Sequence, residues 1–183
     1  MSRLLLCCIA ILTLNACSTH YLSSSNDTNN APTHTLHHTE DKKGRESMPS
    51  FWQSQGLRTF VYSPQKTAWA VYNERGARVK TGRGSGGKHW CEDENATCHT
   101  VTGRFKIYAK KGVGCESGKY PLETNGGAPM PYCQHFHQGY ALHGSDHVPD
   151  YNASHGCIRV LPSAAKWLHS YLQVGSQVVV QSY

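Results

Sequence analysis

The chain has 183 residues, with 18 lysines and arginines against 12 aspartates and glutamates and a net charge of +6. Its basic residues are scattered, and Lys110-Lys111 is the one basic pair beyond residue 50. That excludes the basic stripe nucleic acid requires and leaves only a mild pull toward anionic surfaces.

Residues 1–16 read as an export signal. Arg3 supplies the positive start, Leu4 to Leu14 is apolar apart from Thr13, and Leu14-Asn15-Ala16-Cys17 closes the segment. Such a run is too short for a membrane span and ends in small residues, as cleaved signals do. Cys17 after Leu-x-Ala resembles a bacterial lipoprotein box, in which the cysteine is lipidated and becomes the mature N-terminus; ordinary cleavage is the alternative. Ser18 resembles the outer-membrane sorting pattern of Gram-negative lipoproteins, so the expected location is periplasmic, with a lipid anchor in the outer membrane.

Residues 17–49 form the lipidated N-terminus and a tether. Ser23 to Asn30 and Thr33 to Thr39 hold almost no large apolar side chains and cannot offset the entropy of ordering. His34, His37 and His38 are linker histidines, with a metal-binding tract as the rival reading.

Residues 50–183 make one domain, long enough for a single core. Arg58 to Tyr62 and Thr67 to Tyr72 are β-rich, separated by Ser63-Pro64. Arg78 to Thr81 pairs with the second across Asn73-Glu74-Arg75-Gly76 as a hairpin. Gly82 to Gly87 reads as loop. Gly103 to Tyr108 alternates like a half-buried strand, and Tyr140-Ala141-Leu142 runs straight into His143. Ala164, Trp167, Leu168, Tyr171 and Leu172 share one face of a helix that starts at Pro162-Ser163 and stops at Gly175. Gln177 to Gln181 closes as a strand. The domain is mainly β, with one amphipathic helix near the C-terminus.

Of eight cysteines, Cys7 and Cys8 fall in the signal and Cys17 at its end. Cys91, Cys98, Cys115 and Cys133 remain, plus Cys157. In an oxidising compartment four suggest two disulfides and the fifth a free thiol. Nearest neighbours are Cys91–Cys98 and Cys115–Cys133, but three connectivities are open. A zinc site assisted by His89 and His99 is the alternative, although no Cys-x-x-Cys pair occurs.

Chemistry concentrates in Ser154-His155-Gly156-Cys157-Ile158-Arg159 and in His143 upstream. A thiol attacks a carbonyl as thiolate, and a nearby imidazole is the usual means of lowering its pKa. Gly156 lets backbone approach a substrate, and amides 155 to 157 could converge on one oxyanion. A buried inert cysteine among incidental histidines is the bland alternative.

These residues resemble the signature of the L,D-transpeptidase catalytic domain (YkuD-type) family: a His-Gly, a variable loop, then Ser-His-Gly-Cys-x-Arg/Asn. Thr102 to Ile107, Met130-Pro131-Tyr132, Gly139 to Gly144 and Val174 to Val178 resemble further elements of that family in the same order. The fold it implies is an L,D-transpeptidase-type β-sandwich. It also implies that Cys157 is the acylated nucleophile and His143 its general base, oriented by a carbonyl near Gly144. The amides around His155, Gly156 and Cys157 would hold the oxyanion, and Arg159 a substrate carboxylate. Ser154, Met130 and Tyr132 would contribute to substrate binding, while His155 either tunes the site or supports it structurally. His147, His135 and His137 read as surface histidines, either of the latter two able to line the cleft beside Tyr132.

The partner implied is a peptidoglycan stem peptide, handled by a monomer without metal or organic cofactor. The thiolate would attack at the third stem residue, expel D-alanine, and pass the acyl group to an amine. Water as acceptor, giving an L,D-carboxypeptidase or amidase, and a non-catalytic wall-binding lipoprotein are the alternatives. Two departures from the family pattern stand out: a short His143-to-Ser154 loop, which implies a reduced lid, and a cysteine-bearing insert between Gly87 and Thr100.

Overall fold

A computed structural model describes residues 47–183. The expected signal, Cys17, His34, His37, His38 and all of the expected tether before Ser47 lie outside the described residues. No described helix is long and apolar enough to cross a membrane.

The strands are β1 (Thr59–Ser63), β2 (Ala68–Tyr72), β3 (Arg78–Ser85), β4 (Gly103–Lys106), β5 (Ala109–Lys110), β6 (Gln134–His137), β7 (Tyr140–Gly144), β8 (Ile158–Val160) and β9 (Gln177–Val180), and the α-helix lying wholly within the described residues is α1 (Pro162–Tyr171). They form a single 9-stranded sheet in the order β4-β9-β1-β2-β3-β8-β7-β6-β5. β1 with β9 and β7 with β8 are parallel; the other neighbours are antiparallel.

The sheet curls on itself. β4 lies at one edge and β6 one strand in from the other, yet the rings of Phe105 on β4 and Phe136 on β6 are 5.6 Å apart. Phe60, Tyr62, Trp69, Leu142, Ile158 and Val178 fill the space between the halves. The back of the β1–β2 hairpin is covered as well, where Val61, Ala70 and Tyr72 meet Met48 and Val179. Burial on both faces is why β1 and β2 are apolar almost throughout.

β5, β6 and β8 have no counterpart in the sequence reading and β4 ends at Lys106 rather than Tyr108, while two further differences have a packing reason. β3 continues through Gly82 and Gly84 instead of ending in loop. A Cβ on Gly82 would sit 2.9 Å from the Trp69 ring, so the glycine makes room for an aromatic across the strand pair. In α1 the expected face holds at Leu168 and Leu172, which are buried, and Ala165 joins the buried stripe, while Ala164, Trp167 and Tyr171 are only partly buried against the core. Those two rings stack 4.9 Å apart on the flank, with Lys80 4.8 Å over one and Arg58 4.6 Å over the other. Cation–π contacts let them stay partly exposed.

Pro162 opens α1, where a missing N–H costs no helical bond. The helix lies across β7, with Ala165 against Gly144, and so backs the strand that carries His143.

Candidate active site

Alternation along β7 and β8 sorts their side chains. Leu142, Ile158 and Val160 enter the core, which sends His143 and Arg159 to the opposite face. Register sets Leu142 beside Ile158 and His143 beside Arg159. One step earlier Ala141 stands next to Cys157, and across β6 Ala141 pairs with His135. The outer face therefore carries two rows, His135–Ala141–Cys157 and, beside it, His143–Arg159.

These residues open on a cavity of about 600 Å³ lined by Met130, His135, Tyr140, His143, Cys157 and Arg159. Ser154 and His155 lie at its rim, and Glu94, Lys119 and Tyr120 belong to its wall.

His143 is buried, 5% exposed, and its Nδ1 lies 2.9 Å from the Gly144 carbonyl oxygen. A carbonyl only accepts, so the proton sits on Nδ1 and Nε2 keeps a lone pair. Burial pulls the His143 pKa down to about 4; the Gly144 bond opposes this, and the charges of Arg159 and His135 add to it. Near neutral pH the ring is a neutral base.

Cys157 is half-buried and is the free cysteine among the described residues. Its Sγ lies 3.9 Å from the Gly139 carbonyl. Burial pushes its pKa up, against a backbone hydrogen bond from Ala141 and the Arg159 charge, which both lower it. Burial thus opposes the acidification expected from a nearby imidazole and favours a protonated thiol at rest.

The turn before Cys157 is tightly tied. Ser154 is 2% exposed; its Oγ donates to the Cys157 carbonyl at 2.5 Å and accepts from the Gly156 N–H at 3.0 Å. Gly156 has φ 124°, and a Cβ there would lie 2.8 Å from the Tyr140 ring. Backbone and neighbour both demand glycine at this position. Since the Gly156 N–H is already engaged, it is a poor candidate for an oxyanion donor.

A roof comes from two disulfide-closed loops, Cys91–Cys98 and Cys115–Cys133. Asp93 in the first loop places Oδ2 2.7 Å from Nε2 of His155. Glu94, next to it, accepts from Lys119 Nζ at 2.8 Å and from the Tyr120 hydroxyl, both in the second loop. The Tyr120 ring then lies 4.5 Å from that of His155. The two loops are thus clasped to one another and to the turn carrying Cys157. Cys91, Asp93 and His155 offer ligand atoms within 4.8 Å of one another, but the Cys91 sulfur is spent in its disulfide.

Arg159 is half-buried, and among the described residues no carboxylate lies within ion-pair range of it. Met130 is 7% exposed at the cavity wall. Tyr132, expected on that wall, does not line the cavity: with φ 59° its ring turns onto the core, 5.8 Å from His169. His137 likewise turns away, its ring 5.0 Å from that of Phe105. Sequence reasoning missed Asp93, Glu94, Lys119 and Tyr120. The acidic run Glu92-Asp93-Glu94 inside a short cysteine loop was the available signal.

The sequence model described as YkuD, L,D-transpeptidase catalytic domain, matches residues 57–180. No curated protein sequence matches the chain. Among solved structures, an L,D-transpeptidase from Xylanimonas cellulosilytica is similar at 24% identity and TM-score 0.60, covering 75% of this chain and 66% of that one. One from Stackebrandtia nassauensis reaches 23% identity and TM-score 0.61 over 77% of this chain and 63% of its own. L,D-transpeptidase 3 from Mycobacterium tuberculosis, in complex with a faropenem-derived adduct, reaches 19% and 0.57 over 69% and 60%. At these identities the likeness is one of fold, and this chain spans less than two thirds of the length of each.

Proposed function

Since this chain belongs to the L,D-transpeptidase catalytic domain family, we propose that it is a peptidoglycan acyltransferase with Cys157 as nucleophile and His143 as base. His143 Nε2 takes the thiol proton as sulfur attacks the carbonyl of the third residue of a tetrapeptide stem. The tetrahedral intermediate collapses with loss of D-alanine, which leaves with that proton, and an amine acceptor resolves the thioester. The observation that carries this reading is the pairing of a free thiol with an imidazole whose tautomer is set by the Gly144 carbonyl, both facing one cavity.

The amides of His155 and Cys157 are the proposed oxyanion donors, each worth about 2.7–4 kcal/mol of barrier by comparison with other such sites. Ser154 shapes that turn through its bonds to Gly156 and Cys157. Arg159, without a carboxylate partner among the described residues, is the proposed anchor for a substrate carboxylate, with Met130 as apolar wall.

Two disulfides support an oxidising compartment. We read residues 47–183 as the catalytic domain of a monomer. It is held in the periplasm by lipidated Cys17 at the outer membrane and joined to the anchor by the residues before Ser47. The expected boundary at 49 moves back because Met48 is buried in the domain's core and the Pro49 carbonyl accepts from the Tyr72 hydroxyl. A tether of roughly thirty residues reaches at most about 100 Å.

The test is incubation with a defined tetrapeptide muropeptide and an amine acceptor, followed by mass analysis. A cross-linked product with loss of D-alanine supports the reading. A shortened stem without cross-link assigns water as acceptor, and absence of both thioester and product overturns the enzymatic role.

A further inference from the structure

The cavity holds a titratable group that the reaction above leaves unused. His135 lines it together with Cys157 and His143. It stands on β6 directly across from Ala141, which in turn stands beside Cys157. Two strand spacings of about 4.8 Å therefore separate the His135 and Cys157 backbones. The register position between them is held by Ala141, whose side chain is only a methyl, and both flanking side chains line the same cavity.

We propose that His135 is a second catalytic imidazole of this site, taking the proton that the acceptor amine loses as it resolves the Cys157 thioester. This role rests on the function proposed above. The amine nitrogen forms the new C–N bond while the C–S bond breaks, and that electron pair returns to Sγ. The extra proton on nitrogen passes to His135, and from there to the sulfur or to solvent, so both imidazoles end the cycle neutral.

Three observations favour His135 over other groups in the cavity. Its one side-chain hydrogen bond among the described residues is weak, Nδ1 to the disulfide sulfur of Cys133 at 3.9 Å, and Nε2 has no hydrogen-bond partner among them. His143 is 5% exposed and committed through Nδ1, whereas His135 is only half-buried, next to the edge strand β5. Burial, aided by the charge of Lys111, holds the His135 pKa below its ordinary value, so the ring can accept a proton at neutral pH. The groups facing it are Lys111 and Tyr108 from the segments flanking β5, the Cys133 sulfur, and His143 on β7. None of them is a carboxylate that would hold it protonated.

The experiment separates the two half-reactions. Acylation of Cys157 by a tetrapeptide stem is followed by protein mass, and decay of the thioester is followed on adding the amine acceptor, for wild type and His135→Gln. The rate of the acceptor step relative to acylation should fall about 10²-fold, within the range of general acid–base catalysis, and its rise with pH should flatten. In His135→Ala, added imidazole should restore part of the acceptor step. An acceptor step at the wild-type rate in His135→Gln overturns the proposal, as do equal losses in both steps, which would mark a structural role. Failure of wild type to form any thioester would instead overturn the proposed function, and this role with it.

Discussion

His155 and Asp93 are joined across the mouth of the cavity, Nε2 to Oδ2 at 2.7 Å. One belongs to the turn that delivers Cys157, the other to the loop closed by the Cys91–Cys98 disulfide. Although desolvation opposes it, the bond to His155 and the charges of His155 and Lys88 leave the Asp93 carboxyl below its ordinary range. The contact ties the position of the turn to the integrity of the Cys91–Cys98 loop.

Breaking that tie should act on turnover more than on folding. The pair is partly exposed, so Asp93→Ala should leave stability nearly unchanged. Acylation should fall several-fold because His155 and its neighbouring amide lose their brace. The double variant Cys91→Ser/Cys98→Ser should reproduce the kinetic loss. Comparing Tm with kcat/KM for each variant checks this; a large Tm change with unchanged kinetics would contradict it.

The second prediction concerns the nucleophile. Cys157 should take an adduct of drug mass from a penem or carbapenem, and Cys157→Ala should take none. Cys157→Ser should fold and bind wall fragments yet turn over almost nothing, because a hydroxyl is far harder to ionise than a thiol. Burial also lifts the thiol above its ordinary value of 9.0, so labelling by iodoacetamide should stay slow near neutrality and rise only in strong alkali. Rapid labelling at neutral pH would show a pre-formed thiolate and contradict the resting state described above.

Acid should weaken the fold through His143. Above about pH 6.5 this ring is neutral in both folded and unfolded chains and adds no pH dependence. As pH falls from there toward about 4, the unfolded chain takes up a proton that the buried ring refuses, so stability drops. The full shift corresponds to about 3 kcal/mol. Urea melts across that window should show the slope in wild type and a smaller one in His143→Gln. Acylation should be nearly abolished in His143→Ala, whereas His147→Ala should behave as wild type.

Gly156→Ala should fail on two counts, a φ of 124° and a Cβ 2.8 Å from the Tyr140 ring. The strain is of order 1–3 kcal/mol, and relief would swing the turn and Cys157 with it. Loss of adduct formation by a variant that still unfolds cooperatively is the expected result; full adduct formation would show that the turn relaxes harmlessly.

Much of the scaffold was legible because local rules and burial agree in it. β1, β2 and β9 are short apolar runs closed by turn residues, and Pro162 and Gly175 bracket the helix. β6 and β8 were hidden, β6 by histidines that alternate with Gln134 and Phe136 and β8 by its shortness inside the Ser154–Arg159 signature. Pairing with β7 makes them strands, and pairing is a property of the fold rather than of the segment. In the site, His143 and Cys157 could be read from their signature. His135 was read as able to line the cleft, and it does, whereas Lys119 and Tyr120 could not be placed, since their position depends on loop closure that no local pattern announces.

The parallel pairing of β7 with β8 has a consequence for how such a protein can diversify. The spacing between His143 and Cys157 along the backbone is a lattice constant of the sheet, fixed by the β7–β8 register at Leu142–Ile158 and His143–Arg159. The crossover from Ser145 to Gly156 and the two cystine loops above it hang from that lattice without setting it. Changes to the roof can therefore leave that spacing in place, and act instead through the contacts of Asp93 and Tyr120 with His155 that hold the turn.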